Sequence, residues 1–182
     1  MRYAIIVGLC FAVAGAAAAG ELQKGDNEVA FEAAYSDTDF GSSEGFDLGS
    51  TKETDLSLSY GWLVTDHHEF GLVAGYFKQD IDGGDVFANA EVDGTRLGGF
   101  YTYNFGNYGN VTPYVGGVIS TLGGDLGDSF DLQYAAEVGI KVYPWEHGGF
   151  NVGLGYFQLT ADAPGLDDAD GLNLGIGVLL KY

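Results

Sequence analysis

The residues best suited to chemistry in this chain are its three histidines, His67, His68 and His147. A hydrolase would use one of them as a general base beside a serine or a carboxylate. A metal site would need further ligands around the adjacent pair His67 and His68. Two neighbouring histidines without a third ligand are typical of a solvated turn. We therefore predict no metal site at these histidines. Whether a histidine could serve in catalysis depends on where the fold places it.

Acidic residues are the second candidate group, with 26 Asp and Glu against 7 Lys and Arg and a formal net charge of −19. This excess argues against nucleic acid as a partner, because phosphates are bound by Lys and Arg. The segment at residues 80–85, DIDGGD, has a faint likeness to a calcium-binding loop. It lacks the twelve-residue pattern and the closing glutamate, so an acidic loop is the preferred interpretation and no cofactor is predicted.

The start of the chain predicts export. A short basic start is followed by an apolar run of about ten residues and by the small residues of a cleavage site. The run is too short to cross a bilayer, which takes roughly 20 apolar residues. We predict a signal peptide at residues 1–19 and one domain at residues 20–182. The single cysteine, Cys10, leaves with the signal peptide, which excludes disulfide and thiol chemistry in the mature chain.

The elements that must position the remaining residues are strands. Apolar and polar residues alternate in eight segments, and each is close to the ~9–11 residues that a tilted membrane strand needs. The predicted strands are residues 28–35, 55–64, 69–77, 95–105, 111–121, 132–143, 150–159 and 172–182. Three connections are short (65–68, 106–110 and 144–148), and four are longer and acidic (36–54, 80–94, 122–130 and 160–171). This alternation of short turns and long loops is typical of outer-membrane barrels.

The distribution of charge separates a membrane barrel from a soluble sandwich or a lipocalin-like binder. Almost all charges of the strands fall on one face, and the other face is apolar. A Lys or Arg facing lipid costs about 2–4 kcal/mol at the bilayer midplane, so this pattern predicts apolar residues outside and polar residues inside. Aromatic residues near both ends of the strands predict two girdles at the membrane interfaces.

The last strand carries the most regular pattern, LNLGIGVLLKY at residues 172–182. Its apolar face ends in an aromatic residue, like the C-terminal signal that the barrel-assembly machinery of bacteria recognises. The residues that we assign to this assembly signal are Leu174, Ile176, Val178, Leu180 and Tyr182.

With eight strands in place, the chain resembles the small outer-membrane barrels of the OmpX, OmpA-membrane-domain and opacity type; a YfaZ-like barrel is another possible relative. The residues carrying the resemblance are PYVG at 113–116, YAAEVG at 134–139 and the terminal strand. The resemblance implies an all-β, eight-stranded, antiparallel, up-and-down transmembrane barrel. It also implies a role in adhesion, envelope integrity or stress defence, with no shared chemistry.

The predicted barrel gives the interior charges their partners. We predict two layers of ion pairs, because buried charges must be paired or solvated. The first layer joins Arg96 to Glu32, Asp55 and Glu137. The second joins Lys141 and Lys181 to Glu28 and Glu69. In it, Lys181 is expected to reach Glu28 where the barrel closes.

The predicted function follows from the position of these groups. All three histidines fall in predicted periplasmic turns, away from the outer rim. This position disfavours a barrel enzyme, and no catalytic residue is assigned. We expect a non-enzymatic outer-membrane protein, exported by the Sec route, that contacts lipids and lipopolysaccharide and presents acidic loops to extracellular ligands. A narrow channel for small solutes is the alternative. Divalent cations are expected to bridge the loop carboxylates loosely, and a merely solvated surface is an equal alternative. These carboxylates are Asp37, Asp39, Glu44, Asp47, Asp125, Asp128, Asp162, Asp167, Asp168 and Asp170.

Overall fold

The computed structural model describes residues 22–39, 42–43, 46–47, 50–82, 90–125, 127–128, 130–161 and 169–182. The predicted signal peptide, residues 1–19, lies outside these ranges and stays a prediction. Within the described ranges, no helix is long and apolar enough to cross a membrane.

Eight long strands of the described chain form a closed antiparallel barrel. Each strand pairs with its neighbours in the sequence, and the first pairs with the last. The predicted fold class is thereby confirmed. The strands are β1 (Asn27–Asp39), β2 (Ser50–Leu63), β3 (His68–Asp82), β4 (Ala90–Asn104), β5 (Val111–Gly124), β6 (Phe130–Trp145), β7 (Gly148–Ala161) and β8 (Ala169–Lys181). A small separate ladder pairs Ser42–Ser43 with Phe46–Asp47.

The two ends of the barrel differ. The end with the three short connections, residues 64–67, 105–110 and 146–147, is called the turn end here. The chain enters β1 and leaves β8 at this end, so Asn27 and Tyr182 exchange backbone hydrogen bonds of 2.9 and 3.1 Å. The opposite end, with the four longer connections, is called the loop end.

The predicted strands were too short at the loop end. β1 and β2 continue their ladder from Tyr35–Thr54 to Asp39–Ser50, inside the predicted loop 36–54. β3 and β4 likewise pair as far as Ile81 and Ala90, so residues 80–82 of the predicted acidic loop lie in β3. The alternation of apolar side chains ends where the apolar belt ends, but backbone pairing needs no apolar side chains and carries the sheet further.

The outer surface of the barrel is an apolar belt. Its members are exposed because alternate side chains of a strand point away from the lumen. One residue from each strand, each between 46% and 64% exposed, defines what we call the outer belt: Phe31, Leu58, Leu72, Leu97, Ile119, Val138, Leu154 and Ile176. The intervening residues face inward and include the buried charges. The predicted assignment of the two faces is confirmed.

A small apolar core closes the turn end. Leu22, Ala30, Leu63, Tyr143 and Leu179 are buried together there. Leu22 precedes β1, and its carbonyl accepts a hydrogen bond of 3.2 Å from Asn107 Nδ2. The next residues are also anchored, since the Gly25 amide donates to the Leu63 carbonyl at 2.8 Å. The segment before β1 therefore folds across the turn end of the lumen, which the sequence did not indicate.

Candidate functional site in the barrel lumen

The turn-end layer of the lumen is built around one lysine. The Nζ atom of Lys141 lies 2.6 Å from Glu28 Oε1 and 2.7 Å from Glu69 Oε2. All three side chains are buried, at 6%, 3% and 1% exposure. Tyr143 donates its hydroxyl hydrogen bond to Glu28. β1, β3 and β6 place these groups, and their inward positions follow from the alternation along each strand.

Lys181 lies at the seam of the barrel. It is the register partner of Glu28 between β8 and β1, as the sequence led us to expect. The Nζ atom of Lys181 lies 3.5 Å from Asp26 Oδ2, in an ion pair, and 5.8 Å from the ring centre of Tyr143. Asp26 precedes β1, so the same segment that covers the turn end supplies this carboxylate.

The predicted layer around Arg96 is divided in the structure. Arg96 makes a bidentate ion pair with Asp55, with distances of 2.6 and 2.9 Å. Glu137 instead accepts a hydrogen bond from the Tyr114 hydroxyl, and Glu32 accepts one from Asn151 Nδ2. Neutral donors thus satisfy two carboxylates that the sequence led us to assign to Arg96. Tyr114 and Asn151 occupy inward positions of β5 and β7. The alternation of side chains along these strands was the feature of the sequence that could have placed them in the lumen.

Two glycines make room for Tyr114 across the lumen. A Cβ atom added at Gly139 of β6, or at Gly153 of β7, would lie 2.7 Å from the Tyr114 hydroxyl oxygen. Both positions face the lumen, so any side chain there would displace the phenol from Glu137. The Tyr114 side chain therefore reaches across to β6 and β7 and occupies part of the lumen, as interior side chains do in a barrel of eight strands.

The described residues line cavities at two heights of the lumen. The first has a volume of about 90 Å³ and lies among Glu32, Glu69, Tyr114, Glu137 and Lys141. The second is larger, about 410 Å³, and lies at the loop end beyond Arg96 and Asp55. The side chains of the middle layer lie between the two.

The histidines lie at the turn end, outside this network. His67 Nδ1 is 2.8 Å from the Asn104 carbonyl oxygen, and His68 Nδ1 is 2.8 Å from the Tyr101 hydroxyl. His147 is exposed in the turn between β6 and β7. In the part of the chain that the structure describes, no group of three or more His, Cys, Asp or Glu side chains is arranged to hold a metal ion.

The acidic residues of the loop end are only partly described. Glu44, Asp162, Asp167 and Asp168 lie outside the described residues. Asp125, Asp128 and Asp170 are exposed there. Asp80, in β3, lies 3.5 Å from Lys78 Nζ, which also pairs with Glu91 at 3.1 Å. The predicted loose binding of divalent cations by these carboxylates stays a prediction.

The terminal strand exposes all five residues of the predicted assembly signal on the outer face of the barrel. They are Leu174, Ile176, Val178, Leu180 and Tyr182. Aromatic residues cluster around the turn end near Tyr182, whose ring centre lies 6.5 Å from that of Tyr60. Trp145 and Phe150 pack edge to face at 5.5 Å between ring centres on the neighbouring strands. Tyr76, Tyr134 and Tyr156 are exposed toward the loop end.

Comparisons with solved structures identify the fold. Neisserial surface protein A is similar over 87% of this chain and 98% of its own, with 17% identity and a TM-score of 0.62. The N-terminal barrel domain of Pseudomonas aeruginosa OprF covers 88% of this chain and 99% of its own, with 17% identity and a TM-score of 0.53. The outer membrane protein OprG of Pseudomonas aeruginosa covers 90% and 98%, with 18% identity and a TM-score of 0.51.

No protein-family model matches the chain, and no curated protein matches it significantly. At these identities the neighbours show the fold alone. This chain has the fold of the small eight-stranded outer-membrane barrels, as its sequence led us to expect.

Proposed function

We propose that this chain spans the outer membrane of a bacterium as a closed barrel and serves a non-enzymatic role in the envelope. The outer belt supports the location, because exposed Leu, Ile, Val and Phe side chains on every strand suit lipid and not water. The turn end, where both ends of the barrel domain lie, faces the periplasm. The loop end then faces the outside, with its acidic connections.

The role is that of a scaffold that presents its loops. Support comes from the lumen, where the buried charges contact each other and neutral side chains in a packed arrangement. The histidines lie at the turn end, far along the strands from an extracellular substrate. The partners proposed for the loop end are lipopolysaccharide, with divalent cations between phosphates and carboxylates, and extracellular ligands. The barrel-assembly machinery is the proposed partner of β8 during insertion.

The observation that carries this proposal is the closed turn end. Leu22, Leu63 and Leu179 are each at most 2% exposed. Tyr143 belongs to the same core and donates a hydrogen bond to Glu28, which connects the core to the Lys141 cluster. An ion would have to cross an apolar plug and then a buried cluster in which Lys141 contacts both Glu28 and Glu69. Both are unfavourable for a hydrated ion, since burial of an unpaired charge costs several kcal/mol.

Planar-bilayer recording distinguishes the scaffold from a narrow channel. We expect the purified, refolded protein to give no stepwise conductance in molar potassium chloride. The Arg96→Ala variant should unfold at lower denaturant concentration than the parent, because it leaves Asp55 without its bidentate partner, and should also stay closed. Lys78→Ala, which removes an exposed cation, is the control. Conductance steps in the parent that grow in Arg96→Ala at unchanged stability would refute the scaffold and establish the channel.

A further inference from the structure

The cavity at the loop end has a wall unlike the rest of the lumen. Side chains of four different strands supply an apolar part of the lining, in contrast to the charged layers below it. These apolar residues are Phe77, Leu122, Phe130, Phe157 and Leu159. Its volume of about 410 Å³ lies within the range of small-molecule sites.

An irregularity in β6 contributes one of these rings. The register between β6 and β7 shifts between Phe130 and Leu132, so that Phe130 pairs with Ala161 and Leu132 with Thr160. Phe130 thereby joins the lining of the cavity, although the sequence led us to place it at the end of a loop. Bulges of this kind re-aim side chains at the rims of barrels and next to functional sites.

The floor and sides of the cavity carry a few polar groups. Arg96 and Asp55 form the floor, and their bidentate pairing neutralises both charges. The remaining polar residues of the lining are Gln79, Thr95, Gln133, Asp170 and Asn173. Gln133 is held in place by Ser120, whose Oγ donates to its Oε1 at 3.1 Å. Apolar walls with a few fixed polar groups are the usual composition of a ligand site.

The negative charge around the cavity favours a positively charged ligand. Carboxylates outnumber basic groups among the described residues that line the lumen or pair with its charges. The basic groups are Arg96, Lys141 and Lys181, and the carboxylates are those of Asp26, Glu28, Glu32, Asp55, Glu69, Glu137 and Asp170. The chain as a whole carries a formal charge of −19. Such a field attracts cations into a cleft and repels anions.

We propose that this cavity binds a small organic cation with an apolar body, an alkyl- or arylammonium compound. The phenyl rings of Phe77, Phe130 and Phe157 in the lining suit such a ligand, because aromatic rings attract quaternary ammonium groups. The side-chain amides of Gln79, Gln133 and Asn173 can form hydrogen bonds with a polar group of the ligand. An anion of similar shape is disfavoured, since Asp55 already occupies the guanidinium of Arg96 in bidentate geometry. This inference concerns a ligand of the lumen and is independent of the scaffold role.

Binding can be measured with benzyltrimethylammonium as the probe. The protein is placed in zwitterionic lipid nanodiscs, and amide chemical shifts are followed during titration, with phenylacetate as the anionic counterpart. We expect saturable shifts centred on Phe77, Gln133 and Asn173, with a dissociation constant on the order of 1 mM for a ligand of this size. Phenylacetate should give no saturable shifts at these residues.

Two neighbouring aromatic residues of β3 provide matched variants. Phe77 lines the cavity, whereas Tyr76 points outward and is 41% exposed. Phe77→Ala should weaken binding of the cation at least about fivefold, within the range of a cation–π contact, and Tyr76→Ala should leave it unchanged. If Phe77→Ala does not fold, Phe157→Leu serves in its place. Absence of saturation, equal binding of phenylacetate, or unchanged affinity in the folded cavity variant would each overturn the proposal.

Discussion

Replacing Lys141 with methionine lowers the free energy of unfolding by about 3–5 kcal/mol, the expected loss when one partner of a buried ion pair is removed. The lysine lies between Glu28 and Glu69, both almost fully buried. Methionine fills a similar volume but leaves two carboxylates facing each other without a cation. Equilibrium unfolding in urea, with the protein in phospholipid vesicles, measures the effect.

A second set of variants separates the charge from the packing of Lys141. Lys78→Met removes a lysine whose ion pairs are exposed, and should change stability by less than about 1 kcal/mol. Adding Glu28→Gln and Glu69→Gln to Lys141→Met should recover most of the lost stability, because no charge then remains unpaired. If Lys141→Met behaves like Lys78→Met, the cluster does not stabilise the barrel as argued.

An arginine in the outer belt gives the second large effect. Val138 lies near the middle of β6 and is 56% exposed on the outer face. A guanidinium at the bilayer midplane costs about 2–4 kcal/mol, so Val138→Arg should lower stability in vesicles by that amount and reduce assembly in cells. Unfolding in vesicles and the amount of folded protein in membranes give two readouts.

The matched control places the same new residue at the loop end of the same strand. Asp131→Arg introduces arginine at an exposed position outside the outer belt and should change stability by less than about 1 kcal/mol. Equal losses for both variants would mean that the outer belt does not contact lipid. A loss confined to Val138→Arg is the result that a membrane barrel requires.

Much of the fold could be predicted because a barrel imposes one local rule everywhere. Alternation along each strand fixed the two faces, and the lengths of the connections fixed the two ends. The rule fails where neither face is apolar. The ladder from Tyr35 to Asp39 against Ser50 to Thr54 is therefore invisible in the pattern, although its backbone pairing continues. The segment at Leu22 was also missed, since it packs against the barrel without belonging to a strand.

The interior charges were predicted as a set but not as pairs. The alternation of apolar and polar residues along each strand places Arg96, Glu32, Asp55 and Glu137 in the lumen. The lengths of the strands give the approximate position of each side chain along the barrel axis. The choice of partner depends on differences of a few ångströms between neighbouring strands and on neutral donors at the same height. Tyr114 and Asn151 are such donors, so they hold Glu137 and Glu32 while Arg96 pairs with Asp55.

The most direct test of the membrane barrel is the location and heat-modifiability of the unaltered protein. Cells that make it are separated into soluble, inner-membrane and outer-membrane fractions, and the membranes are washed with carbonate. We expect the protein to stay in the washed outer membrane and to migrate faster on a denaturing gel before heating than after. Protein found in the soluble fraction, with the same mobility before and after heating, would contradict the account.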